Sequence, residues 1–226
     1  MSGTILFTNV AQIVTTEHDT VLEHSALAIR AGRIIGVLPA HEAMESYGGG
    51  AVIDCEGGVL TPGFVDSHTH AVFAGWRAAE YEMRARGMDY MQIARQGGGI
   101  NASVTDLRAR SEEELIELAL PRLYEMVQHG TTTVEIKSGY GLRTADELKM
   151  LRVIRALTGR VPMRIVPTFL GAHDVPLEYR DRRGAYVDLI INEMMPAVAA
   201  ERLAVFCDVF MEPGAFERAE TERILT

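Results

Sequence analysis

The stretch Val59-Leu60-Thr61-Pro62-Gly63-Phe64-Val65-Asp66-Ser67-His68-Thr69-His70 decides how the chain is read. An apolar run enters through Pro-Gly and closes on two histidines spaced H-x-H. In a β-strand, residues i and i+2 point to the same face. His68 and His70 can therefore reach one metal ion from one strand end. Neutral imidazole is a common ligand for zinc and iron. Asp66 shares that face and could orient a ligand from behind. The bland alternative is a pair of solvated histidines in a loop; the buried-strand pattern ahead of them favours a site.

Downstream the rhythm is strand, loop, helix. A long segment, Ala71 to Arg110, carries Trp76, Arg77, Tyr81, Tyr90 and the triplet Gly97-Gly98-Gly99. A connection of this length is usually functional or partly helical. Ser111 and Glu114 then spell a capping box. Leu115, Ile116, Ala119, Leu120, Leu123 and Val127 form the apolar stripe of the helix that follows. Gly130 fits its C′ position, and Pro121 predicts a kink inside it. Thr131–Ile136 reads as a strand, followed by the loop Lys137-Ser138-Gly139-Tyr140-Gly141. Thr144 with Glu147 spells a second capping box, and Gly159 ends that helix. Arg164–Leu170 is the next strand, closing on Gly171-Ala172-His173-Asp174. Helical sequence runs from Arg183 to Arg202, interrupted at Pro196. Leu203–Met211 is a further strand, and Ala219–Leu225 begins a last helix.

Strands alternating with helices imply a parallel sheet. The chemistry-bearing residues fall at strand carboxyl ends: His68 and His70, then Lys137 and Tyr140, then His173, then Glu212. That is where (β/α)₈ barrels carry their active sites. Eight units close such a barrel and about four are present, so residues 59–226 are expected to be its first half and the sequence part of a longer protein. Upstream, residues 1–58 read as short strands. Ser25–Arg30 passes through Ala31-Gly32-Arg33 into Ile34–Leu38, a hairpin signal. This part is expected to be a small, incomplete β-sandwich domain, and its His18, His24 and His41 to be solvated.

The 226 residues are 47% hydrophobic, which suits a globular fold, and the net charge of -9 makes nucleic acid an unsuitable partner. Cys55 and Cys207 lie far apart in apolar runs and read as buried thiols of a reducing compartment. No basic leader and no membrane-length apolar run is present. A cytoplasmic protein with no membrane partner is the expectation.

His173 reads three ways: a third metal ligand, a substrate contact, or a satisfied polar group in a loop. Arg77 lies on the loop that should cover the site, and its guanidinium could clamp a carboxylate in bidentate fashion. Alternatively it is solvated like Arg84 and Arg86. Tyr140 stands between two glycines, which permit close backbone approach to a ligand; the alternative is loop packing. The Gly97 triplet lacks a following GK[ST] and is no phosphate loop; it reads as a lid. Lys137, one of only two lysines with Lys149, reads as a surface or salt-bridge residue.

At these residues the sequence resembles a known family. The run Pro62–His70 is similar to the first-strand signature of the amidohydrolase superfamily. The fuller set is similar to the imidazolonepropionases: Asp66–Arg77 (DSHTHAVFAGWR), Gly97–Ile100 (GGGI), Glu135–Leu142 (EIKSGYGL), Thr168–His173 (TFLGAH) and Phe206–Phe210 (FCDVF). The resemblance covers essentially the whole chain. It implies an α/β protein, an amidohydrolase-type (β/α)₈ TIM barrel with a small amino-terminal β-sandwich. It implies hydrolysis of the cyclic C–N bond of 4-imidazolone-5-propanoate to N-formimidoyl-L-glutamate, in histidine degradation. By the resemblance His68 and His70 bind Zn or Fe, and Arg77, Tyr140 and His173 bind a small carboxylate-bearing substrate, with Tyr90 a weaker candidate. Relatives with paired metals often bridge them with a carboxylated lysine; none stands near Phe210–Glu212, so one ion is expected. The family's other ligands and its acid/base groups have no positions in this chain, which alone is expected to be inactive. A homodimer follows by analogy with superfamily barrels. Alternatives are another cyclic-amide hydrolase or purine aminohydrolase, a metal-free scaffold, or an inactive remnant.

Overall fold

The structure is a computed structural model, and it describes residues 3–16, 20–89, 92 and 98–226. It divides into two compact units, Met1–Gly63 and Phe64–Thr226. In the first, strands β1 (Thr4–Thr8), β2 (Gln12–Val14), β3 (Val21–Glu23), β4 (Ser25–Arg30), β5 (Arg33–Pro39), β6 (Ala51–Asp54) and β7 (Val59–Leu60) build two sheets, ordered β5-β4-β1-β6 and β3-β2-β7. The expected hairpin forms β4 and β5. Ala31 and Gly32 turn it with φ of 52° and 72°, the positive angles that a two-residue turn of matching twist requires. The apolar run Thr4–Val14 is two strands rather than one, because Asn9 turns the chain at φ 52°. Leu6, Ala26, Ala28 and Ala43 form the small core. β7 pairs with β2 in this unit. The front of the deciding stretch thus belongs here, and the histidines belong to the second unit. His24 and His41 are exposed, as expected, while His18 lies outside the described residues.

The second unit holds one parallel sheet, ordered β11-β10-β9-β8. Its strands are β8 (Phe64–Thr69), β9 (Thr131–Lys137), β10 (Arg164–Ala172) and β11 (Phe206–Val209). Sequence order equals spatial order, the arrangement of successive β-α units in a half barrel. Helices Glu112–Gln128 and Thr144–Leu157 connect β8 to β9 to β10. The first starts with the expected capping box: Glu114 N–H donates to Ser111 Oγ at 3.2 Å and Ser111 N–H to Glu114 Oε2 at 2.9 Å. It runs through Pro121 unbroken and buries Leu115, Ala119 and Leu123. Gly130 follows at φ 91°, the C′ conformation. The second expected box does not form; Arg143 is the N-cap, and Glu147 turns elsewhere.

The connection after β8 contains helices Ala78–Ala85 and Ile100–Arg108. The helical run before β11 is continuous from Arg183 to Glu201, with a π turn at Ile190–Met194 just ahead of Pro196, whose missing N–H disturbs the regular ladder. Val134, Ile136, Leu151, Ile154, Phe169 and Tyr186 lie in the core between sheet and helices. The outer strands are different: Phe64 and Val65 on β8 are 59% and 67% exposed, and Phe206 on β11 is 60% exposed. Among the described residues no helix is long and apolar enough to cross a membrane.

Candidate active site

All the candidate site residues belong to the second unit. His68 lies in β8 and His70 one residue past its end, and their rings sit 5.9 Å apart edge to face. His68 is exposed. His70 is enclosed: its ring stacks on His173 at 4.7 Å with an interplanar angle of 9° and lies 5.0 Å from Tyr140. Three successive strand ends therefore converge. The charge-free form of His70 is strongly favoured, with its pKa lowered to about 3. Burial is the main cause, followed by the charges of His173, His68 and Lys137, against an opposing hydrogen bond of the ring to the Ser138 backbone. His70 Nδ1 is buried without a hydrogen-bond partner. A neutral imidazole with an orphaned nitrogen beside a second imidazole fits part of a metal-ligand set. Among the described residues no group of three or more His, Cys, Asp or Glu side chains is placed to hold an ion. His173 is thus not gathered with His68 and His70 as a third ligand. Asp66 is exposed, and its carboxylate accepts the His68 backbone N–H at 3.4 Å rather than bracing an imidazole.

Arg77, Tyr140 and His173 meet around a cavity of about 920 Å³, which Asp174, Arg180 and Glu212 also line. Arg77 lies 3.7 Å from Glu80 and stays partly exposed; Glu80 in turn accepts the Gly99 N–H at 2.9 Å. Burial raises the Tyr140 phenol and the Arg77 charge opposes it, so the hydroxyl remains a donor at neutral pH. Burial lowers His173, against the hydrogen bond to Gly139. Its Nδ1 stands 2.9 Å from the Gly139 carbonyl. Gly99 caps the helix Ile100–Arg108 at φ 73°; Gly97 and Tyr90 lie outside the described residues.

Lys137 is a salt-bridge lysine inside the sheet, only 5% exposed. Its ammonium contacts Glu135 at 2.9 Å and Asp208 at 2.8 Å, and Thr168 Oγ1 donates to the same Glu135 carboxylate. Burial works to lower Lys137, but these two carboxylates outweigh it and raise its pKa. These contacts tie β9, β10 and β11 together. Sequence reasoning passed over Glu135 and Asp208; the i, i+2 pair Glu135 and Lys137 on one strand face was the available signal. Both cysteines are free and half-buried, and burial raises the Cys207 thiol to about 11.

No family model matches the chain. It is similar to the imidazolonepropionase of Symbiobacterium thermophilum, 55% identical over 209 residues, which cover 91% of this chain and 49% of that one. The imidazolonepropionase of Myxococcus xanthus is 47% identical over 98% of this chain and 55% of its own. The chain spans about half the length of the curated relatives it matches. Among solved structures, N-isopropylammelide isopropylaminohydrolase from Burkholderia multivorans superimposes with a TM-score of 0.53 at 20% identity, over 91% of this chain and 44% of that one. A metal-dependent hydrolase from Pyrococcus furiosus gives 0.50 at 13% identity, over 81% and 52%. These two likenesses concern the fold.

Proposed function

We propose that this chain, similar to the imidazolonepropionases over about half of their length, supplies the first half of a metal-dependent barrel that hydrolyses 4-imidazolone-5-propanoate. The observation that carries this is the convergence of His70, Tyr140 and His173 from three strand ends, with Arg77 on the same cavity. His68 and His70 hold one Zn or Fe ion, together with ligands from the rest of the protein. Such an ion supplies an acidified water and a polarised carbonyl. Arg77 binds the propanoate carboxylate as a charge-assisted pair. The Tyr140 hydroxyl donates to the substrate, and His173 binds it near the reacting ring. The water oxygen bonds the ring carbonyl carbon as that carbon's bond to the ring nitrogen breaks. One water hydrogen goes to the nitrogen, the other is released as a proton from the new carboxyl group, and N-formimidoyl-L-glutamate results. The remaining strands cover the open edges of β8 and β11, and a late strand completes the small β-sandwich of the first unit. A cytoplasmic homodimer is the setting we infer.

The test is turnover of 4-imidazolone-5-propanoate by this chain and by a protein of its relatives' length that contains it, with metal content read on both. Turnover and about one ion in the long form, with neither in the short, is the expected result. A metal-loaded long form that ignores this substrate and opens a hydantoin or deaminates a purine replaces the substrate and keeps the chemistry. Absence of metal from both sinks the His68–His70 site. Arg77→Ala in the active form should cost about 1.5–3 kcal/mol of substrate affinity, roughly 10–150-fold in KM, as expected for loss of one charged hydrogen-bonded pair.

A further inference from the structure

The helix Thr144–Leu157 begins with a capping-box sequence, yet Glu147 does not close a box. Its carboxylate turns inward, fully buried. It accepts the backbone N–H of Gly139 at 3.1 and 3.2 Å, of Gly141 at 2.8 Å and of Leu142 at 2.9 Å. The Ser138 hydroxyl, which accepts the Leu170 N–H at 2.9 Å, bonds the same carboxylate. From the other side Arg108 donates to the carbonyls of Gly141 and Leu142 at 2.8 and 3.3 Å. The loop that carries Tyr140 is gripped from both sides, chiefly by one acid.

Gly139 is the point where this grip reaches the cavity. Its φ of 105° is glycine's territory. A Cβ there would stand 2.9 Å from His173 Cβ and Nδ1 and 2.8 Å from the Leu170 carbonyl. The absence of that carbon lets the Gly139 carbonyl come within 2.9 Å of His173 Nδ1. A carbonyl oxygen only accepts, so Nδ1 carries the ring hydrogen. Nε2 keeps the lone pair.

We propose that Glu147 is a positioning residue that sets the His173 tautomer through the Gly139 carbonyl, leaving Nε2 as a hydrogen-bond acceptor for a ring N–H of the ligand. The identity of that ligand rests on the proposed function; the tautomer does not. The closing experiment therefore uses no substrate. The imidazole ¹⁵N signals of His173 are recorded on the chain, assigned with His173→Gln, above the ordinary histidine pKa of about 6.5. The wild type should show two well-separated nitrogen signals, the pattern of one tautomer with Nδ1 protonated. Glu147→Gln keeps the shape but presents an NH₂ where an acceptor stood, so the two signals should converge towards a mixture. A folded Glu147→Gln chain with an unchanged His173 pattern, or a wild type with Nε2 protonated, overturns the proposal. Hydrogen exchange of the wild type gives a second reading that needs no variant. The Gly139, Gly141 and Leu142 amides should be as protected as those of β10, and exchange at the rate of open loops overturns the grip. A single tautomer in a protein without turnover would remove the substrate and leave this assignment standing.

Discussion

β8 and β10 lie in the same sheet, run the same way and are each followed directly by a histidine, His70 and His173, yet their surroundings are opposite. β10 is buried along Thr168–Ala172, and His173, just past its end, bonds through Nδ1 to the carbonyl of Gly139, in a loop whose N–H groups Glu147 accepts. β8 is exposed from Phe64 to His68. A parallel strand normally has both faces covered. The difference shows that one wall of the site is finished by contacts within this unit, whereas those contacts leave the wall bearing His68 exposed. The most direct way to break this comparison is to weaken the finished wall. Phe169 on β10 is 2% exposed. Phe169→Ala should destabilise the second unit by about 3–5 kcal/mol through lost burial and a residual cavity, read as the urea midpoint. A cost under about 1 kcal/mol would mean that the core around β10 is not closed.

The second prediction concerns His70, which sits where the two walls meet. Its folded pKa is depressed from 6.5 to about 3. The fold therefore favours the neutral ring, and that contribution is fully present above the unfolded pKa. It is lost as pH falls from about 6.5 towards about 3. In metal-free protein, wild type should lose about 2 kcal/mol relative to His70→Leu between pH 8 and pH 5, by the linkage arithmetic of one such group. Carboxylates titrate in both proteins, so the difference between the two curves isolates the ring. Parallel curves would place His70 in water and remove the enclosed wall.

Much of this was legible in sequence because it is local. The H-x-H spacing needs only period two. The Ser111–Glu114 box, Gly130 and Gly159 need only helix-end chemistry, and the alternation of strands and helices orders the sheet. The cavity residues Arg77, Tyr140 and His173 were legible only by resemblance; spacing left each of them with a bland alternative. What was missed depends on contacts across the chain. Thr144 and Glu147 match a box by spacing, but the buried loop Ser138–Leu142 offers Glu147 three N–H donors that a box cannot rival. Lys137 gives no sign in sequence that Asp208, from β11, lies beside its ammonium. Val59–Leu60 continues the apolar run into β8 on paper, yet it pairs with β2 because the intervening Pro62 and Gly63 end one strand before the next begins.

The smallest expected effect tests the open side of the comparison. Phe206 on β11 is 60% exposed, so little apolar area leaves water there when this chain folds. Phe206→Ser should change the unfolding free energy of the isolated chain by no more than about 0.5 kcal/mol, the range of surface substitutions. It should also reduce self-association at high protein concentration, since large exposed apolar patches drive contact between copies. Sedimentation beside urea titration separates these effects. A loss comparable to that of Phe169→Ala would show that β11 is covered in solution. A concentration-dependent midpoint would then identify the cover as a second copy of the chain, because a cover that binds only the folded form stabilises by mass action. A concentration-independent loss would place the cover within the chain, and β11 would join β10 as part of the finished wall.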